Sequence, residues 1–220
     1  MQRRLAAILA ADVVGYSKLM AEDEAGTLAA LRAHRESLFD PETTKRGGRI
    51  VKLMGDGTLV EFASVVDAVN CAIAIQLALD ASGGAIRLRI GINLGDVIVD
   101  GEDIYGDGVN IAARLEALAN PGGICVSDLV LQSIRAKTDV TFQDIGEQRL
   151  KNIDAPIRVW QWPQSKAGSG DVASSVNLPL PDQPTVAVLP FENMSGDPEQ
   201  SYFVDGITED IVTALSKISR

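Results

Sequence analysis

The chain has 220 residues, with 20 Lys plus Arg against 30 Asp plus Glu, so its formal charge at pH 7 is −10. At 46% hydrophobic and 23% charged residues it falls outside the disordered class and is long enough to bury a core. The acidic balance argues against a general role on DNA or RNA, where clustered Lys and Arg must neutralise phosphate, but it leaves room for a small anion carried by a metal ion.

The first element is an apolar run, Leu5 to Val14, predicted as a buried strand. Glu22 to Phe39 is predicted as helix, with Leu28, Leu31, Arg35 and Leu38 at helical spacing. Arg49 to Leu53 and Thr58 to Phe62 are β-rich runs around Gly55-Asp56-Gly57, the signature of a tight hairpin. Val65 to Leu79 gives a second helix, and Arg87 to Val99 a long strand or a strand pair broken at Gly95. A glycine-rich loop leads into a helix from about Gly108 to Leu118, then a short strand at Gly123 to Val126 and a helix at Asp128 to Arg135. Further β-like runs lie near Val140 to Ile145 and Ile157 to Trp162. The β-α-β-β-α-β order, with additions, predicts an α+β fold: a ferredoxin-like sandwich with one sheet face covered by helices. There is no internal repeat.

Six of the nine prolines follow residue 162, and residues 163–184 are rich in Pro, Ser and Gly, as in a linker. The expected organisation is a domain over residues 1–162, this linker, and a strand (Thr185 to Phe191) with an amphipathic helix (Asp205 to Ile218) over residues 185–220. One strand and one helix cannot bury a core alone, so the last piece is expected to be the start of a further domain. Cys71 and Cys125 are far apart and flanked by apolar residues, the pattern of buried thiols in a reducing compartment. With His34 alone beside them they cannot furnish a zinc site. No apolar run approaches the roughly 20 residues of a membrane helix. The basic start followed by Leu5 to Ala11 stops at Asp12 without a small-residue cleavage pattern, so a cytoplasmic location is expected.

Two acidic residues stand out by position. Asp12 interrupts an apolar strand and Asp56 sits at a hairpin tip. Taken singly they can be a helix cap and a turn residue; together, on neighbouring strands, they favour a site for hard cations that leaves coordination positions open to phosphate. Asn110 and Arg114 are four apart on one helix and project the same way, an amide and a guanidinium able to orient a sugar and neutralise phosphate. A capping Asn and a surface Arg are the plain alternatives. No G-x-x-x-x-G-K-[ST] run occurs, so P-loop chemistry has no support.

The motifs A-D-V-V-G-Y-S, K-L-M-G-D-G, G-I-N-L-G-D-V and D-I-Y-G-D-G-V-N-I-A-A-R, in this order and spacing, resemble the catalytic domain of class III adenylate and guanylate cyclases over roughly Arg4 to Trp162. The resemblance implies that Asp12 and Asp56, with the Val13 carbonyl, hold two Mg²⁺ or Mn²⁺ ions per active site. It places Lys52 and Asp103 at the purine-reading positions, where Lys donates to adenine N1 and Asp accepts from the exocyclic amine, so ATP is favoured over GTP. Asp107 competes with Asp103 for that role, and register puts Asp103 first. Asn110 takes the ribose-orienting position and Arg114 the one that stabilises the pentavalent phosphorus. Backbone N–H groups of Gly15, Tyr16 and Ser17 at a helix start suit triphosphate oxygens. Lys151 lies near the family's position for a further triphosphate cation, and a solvated Lys on a late strand is the alternative.

The implied reaction is attack of the ribose 3′-OH on the α-phosphate of ATP, giving cyclic AMP and pyrophosphate. The family builds its sites between two catalytic domains, with metal residues from one and purine and transition-state residues from the other. Because this chain carries both residue sets, the resemblance implies a homodimer with equivalent sites at the interface. It implies neither nucleic-acid binding nor membrane insertion. A catalytically silent ATP-binding module of the same fold, and less so a guanylate cyclase, are the other readings. A diguanylate-type enzyme would need a G-G-[DE]-E-F run, which is missing. Residues 185–220 resemble the first βα unit of a TolB-like domain, as found after cyclase domains and ahead of tetratricopeptide repeats in longer bacterial proteins.

Overall fold

The computed structural model describes residues 2–83, 86–153 and 155–163. The expected linker beyond Pro163 and the expected TolB-like piece lie outside the described residues. Eight strands form one sheet: β1 (Gln2–Val13), β2 (Arg49–Met54), β3 (Gly57–Phe62), β4 (Leu88–Asp100), β5 (Asp103–Tyr105), β6 (Ile124–Ser127), β7 (Gln143–Gln148) and β8 (Ile157–Trp162). The helices are α1 (Tyr16–Glu22), α2 (Glu24–His34), α3 (Asp40–Lys45), α4 (Val65–Ser82), α5 (Asp107–Leu118) and α6 (Asp128–Ile134).

The sheet runs β2-β3-β1-β4-β6-β8-β7, with β5 on β4. Its first four strands are antiparallel in the ferredoxin-like order, as expected from the sequence. Among the described residues only β4 and β6 pair in parallel, joined through the α5 crossover. There the buried Gln76 of α4 donates its amide to the carbonyls of both Leu88 (3.1 Å) and Gly123 (2.9 Å).

Alternation along β1 divides the core. Ala7, Leu9, Ala11 and Val13 face α4 and α6 together with Ile90 and Ile92, whereas Ala6, Ile8 and Ala10 face α5 together with Leu59, Val97 and Ile104. Helices therefore cover both faces of the sheet, not the single face expected. α4 is long and apolar enough to cross a membrane by length and composition, but Ala68, Val69, Cys71, Ala72 and Ile75 on it are fully buried under the sheet. Both cysteines are free and buried, and desolvation pushes their thiols up to about 11 (Cys71) and about 12 (Cys125).

The region expected as one helix, Glu22 to Phe39, is divided. The Asp23 side chain accepts from the Gly26 N–H at 2.9 Å and caps α2, ending α1 before it. Downstream, Arg35–Phe39 forms one wide π-type turn ahead of α3. Pro41 has no N–H to donate back into a tight turn, which accounts for that widening. β7 starts later than the apolar run near Val140 suggests, because Phe142 is buried outside the strand and the ladder shifts register between Asp144 and Glu147, next to Gly146 at φ 80°.

β4 is one unbroken strand of 13 residues, and Gly95 does not divide it. Its glycines have another task. A Cβ on Gly91 would stand 2.2 Å from the Ala112 carbonyl oxygen and the Glu116 nitrogen, and one on Gly95 3.2 Å from Gly108 Cα. Between them Asn93, also buried, donates to the Gly108 carbonyl at 3.1 Å. α5 thus lies directly on the backbone of β4.

Gly91→Ala should therefore overpack this contact and destabilise the domain by about 3 kcal/mol. Gly101→Ala, at φ 62° in open space, should lose only about 1 kcal/mol. Urea denaturation of both variants compares them, and equal losses would refute the close-contact explanation.

Candidate active site

The α5 face of the sheet gathers most of the polar residues singled out in the sequence. Asp12 is the penultimate residue of β1, directly opposite Arg89 in the β1–β4 ladder. Arg89 Nη2 lies 3.4 Å from Asp12 Oδ2. Asp56, in the turn between β2 and β3, comes within hydrogen-bonding contact of Asp12, and its carboxyl is raised by desolvation first and by Asp12 second. Two carboxylates held together in this way repel, a strain that a hard cation relieves. They form a pair only: among the described residues no cluster of three or more His, Cys, Asp or Glu converges to hold an ion. Val13 closes β1 beside them, paired with Leu88.

Lys52 on β2 and Asp103 on β5 meet across the sheet edge, with Nζ donating to Oδ2 at 2.9 Å. The Asp103 Oδ1 accepts from the Ile104 N–H at 2.9 Å, and the Tyr105 hydroxyl donates to Oδ2 at 3.1 Å. The bond to Lys52 leads in holding Asp103 below the usual carboxylate range, and the bond to Asp103 leads in holding Lys52 above its own. A cavity of about 370 Å³ is lined by Asp12, Lys52, Asp103 and Tyr105 together with Met54 and Glu116. Asp107 instead lines a separate cavity at the start of α5.

Other candidates are placed but not gathered. Asn110 and Arg114 are exposed on α5 and have no side-chain partner among the described residues. Gly15 caps α1 at φ 68° and accepts from Lys18 and Leu19, leaving Tyr16 and Ser17 in the first turn, where backbone N–H groups have no helical acceptor. Lys151 is exposed in the turn between β7 and β8, not on a strand, and makes no hydrogen bond or ion pair with the other candidates among the described residues.

Two residues near the Asp pair carry no motif signal. Arg89 interrupts the apolar start of β4 much as Asp12 interrupts β1. Glu116 lies one turn beyond Ala112 on α5, with Oε1 3.6 Å from Arg89 Nε. Burial pushes the Glu116 carboxyl up to about 7, with Asp12 and Asp56 adding to the rise and Arg89 opposing it. β5 was missed as well, since three residues within a glycine-rich loop show no periodicity.

Comparison with known proteins agrees with this picture. Residues 2–162 match the family model described as the Adenylate and Guanylate cyclase catalytic domain. A curated relative, "Putative adenylate cyclase 3" of Rhizobium meliloti (strain 1021), is 50% identical over 226 residues, covering 99% of this chain and 38% of that protein. The chain spans less than half the length of the curated relatives it matches. Among solved structures, an Adenylate/Guanylate Cyclase/Hydrolase from Silicibacter pomeroyi is 47% identical, with a TM-score of 0.69 over 73% of this chain and 97% of that one. The adenylyl cyclase CyaB from P. aeruginosa shares the fold at 24% identity, with a TM-score of 0.66 over 76% of this chain and 97% of that one.

The raised Glu116 carboxyl has a pH consequence. Between its ordinary value of 4.5 and about 7 the folded chain holds a proton that the unfolded chain has lost. Stability from this group is therefore greatest below pH 4.5 and declines as pH climbs to 7. With EDTA present, wild type should lose more stability than Glu116→Gln between pH 5 and pH 8 by urea titration. Parallel pH profiles would refute the shift.

Proposed function

Because the chain belongs to the adenylate and guanylate cyclase catalytic-domain family, we propose that it converts ATP into 3′,5′-cyclic AMP and pyrophosphate, as a homodimer with two shared active sites. The observation that carries the choice of ATP is the Lys52–Asp103 pair, held at 2.9 Å, which in a shared site would read the purine of a substrate bound at the second copy's Asp pair. Lys52 keeps two further N–H donors while bonded to Asp103, enough to reach a purine ring nitrogen. Asp103 is ionised, acceptor-only, and retains lone pairs for an exocyclic amine. Guanine offers a carbonyl and a protonated ring nitrogen at those places, a poor match to this pair.

Asp12 and Asp56, with the Val13 carbonyl, would hold two Mg²⁺ or Mn²⁺ ions; their repulsion and their all-oxygen donors fit such cations. Bound there, the ions supply Lewis-acid polarisation of phosphoryl oxygen and a lowered pKa for the attacking hydroxyl. The first-turn N–H groups of Tyr16 and Ser17, after Gly15, face phosphate oxygens. Lys151 is the remaining candidate cation for the triphosphate. Asn110 orients the ribose so that its 3′-OH stands in line with the α-phosphate, and Arg114 carries positive charge to the equatorial oxygens as pyrophosphate departs. Both project from α5 without a side-chain partner among the described residues, as residues acting on substrate held by a second copy should. The two free buried thiols and the absence of a basic surplus support a cytoplasmic setting without nucleic acid as partner.

Purified chain incubated with ATP and Mn²⁺ should release cyclic AMP and pyrophosphate, with GTP a poor substrate. Asp56→Ala should abolish turnover, and Arg114→Ala should lower it on the order of 10²–10³-fold. Cyclic nucleotide detection decides this, and a dimeric chain giving no product would turn the reading towards a silent ATP-binding module. Shared sites add a second expectation. Asp56→Ala mixed with Arg114→Ala should recover about a quarter of wild-type activity, since half the dimers would be mixed and each would have one intact site. If the mixture stays inactive while the variants exchange subunits, the sites are not shared.

A further inference from the structure

Arg89 is placed between two carboxylates and fully bonded to neither. Its Nη2 is 3.4 Å from Asp12 Oδ2 and its Nε 3.6 Å from Glu116 Oε1, both long for charge-assisted bonds. Arg89 Nε and Glu116 Oε1 are each buried without a hydrogen-bond partner. The arrangement is built by the fold. Arg89 and Gly91 share one face of β4, and the missing Cβ of Gly91 brings α5 down until the Glu116 nitrogen touches the strand. Glu116 is thereby fixed one residue pair away from Asp12, and its side chain is 16% exposed against 32% for Arg89.

We infer that Glu116 is a positioning residue for the metal-binding carboxylate: it receives the Arg89 guanidinium when divalent cations take Asp12, and so sets how easily they bind. This rests on the reading of Asp12 and Asp56 as metal ligands. In the metal-free chain Arg89 supplies positive charge at Asp12. A divalent cation at the Asp pair repels that guanidinium. Among the described residues, the other carboxylate placed to accept it is Glu116, and closing the 3.6 Å gap satisfies both orphaned atoms at once. Without a carboxylate at 116, Arg89 must either stay on Asp12 and compete with the incoming ion or leave its buried Nε unpaired. The device exchanges one counter-charge for another without stranding either.

The test uses the full chain and Mn²⁺ alone, with free ion followed by electron paramagnetic resonance. Wild type should bind Mn²⁺ in a manner lost in Asp56→Ala. Glu116→Gln should raise the dissociation constant on the order of tenfold. In an Arg89→Gln background, where no guanidinium needs a home, adding Glu116→Gln should change nothing further. That coupling distinguishes positioning from a general structural effect, which would weaken binding in either background. Tenfold weaker binding in both backgrounds, or wild-type affinity in Glu116→Gln, overturns the inference while leaving the ligand assignment intact. Mn²⁺ binding that survives Asp56→Ala overturns the assignment itself, and the inference with it. Should Glu116→Gln fail to fold, Glu116→Asp replaces it: the charge is kept but withdrawn from Arg89, so binding should weaken by a smaller factor, and unchanged affinity counts against the proposal.

Discussion

Everything on the polar face depends on how closely α5 can lie on β4. Packed helices and strands normally stand apart by the thickness of their side chains. Here Gly91 and Gly95 remove that thickness at two points, and Asn93 supplies a hydrogen bond between them. The helix is held by this close backbone approach, by Ala112 in the cluster with Ile8 and Ala10, and by Leu115, fully buried with Cys125 and Val159. That leaves the outward side of α5 free to present Asn110 and Arg114, and it sets Glu116 against the strand that carries Arg89.

The second organising element is charge. The chain is acidic overall, yet two of the candidate carboxylates each have a cation beside them. Arg89 stands beside Asp12, and Lys52 beside Asp103. Away from the cavity, Arg4 and Arg49 bracket the buried Glu61 on β3, the second strand of the sheet. These pairings serve different ends. Glu61 is 5% exposed, bonded by both guanidiniums at 2.7 and 2.8 Å, and is a structural anchor. Around Asp12 and Asp56 the contacts are longer, and the Asp56 carboxyl sits above its ordinary value. The pairs on Glu61 are tight, whereas the contact at Asp12 is loose.

Much of this could be seen in the residues themselves. Asp12 was visible because an acid in an apolar strand is rare, and Asp56 because a hairpin tip exposes its residue to whatever lies beside it. Lys52 and Asp103 needed a family pattern, since 51 positions separate them and only the sheet edge brings them together. Arg89 broke an apolar run just as Asp12 did, yet its meaning depends on a register between β1 and β4 that no local pattern encodes. Glu116 was hidden by its ordinary setting, a charged residue on an amphipathic helix. The two-sided covering of the sheet was missed for a related reason: glycines in β4 look like strand breakers until the helix resting on them is seen.

The amide of Gln76 shows how the ferredoxin-like half and the added strands act as one plate. The seam between them is the parallel β4–β6 pair, which has no hairpin to hold its ends together. One side chain from α4 bonds a carbonyl on each side of that seam. Any shear that slid the outer strands past the inner ones would break both bonds together, so the load is shared by the helix beneath. The sheet is thereby stiffened across its weakest line, and the added strands β6, β8 and β7 brace β4, the strand on which α5 rests.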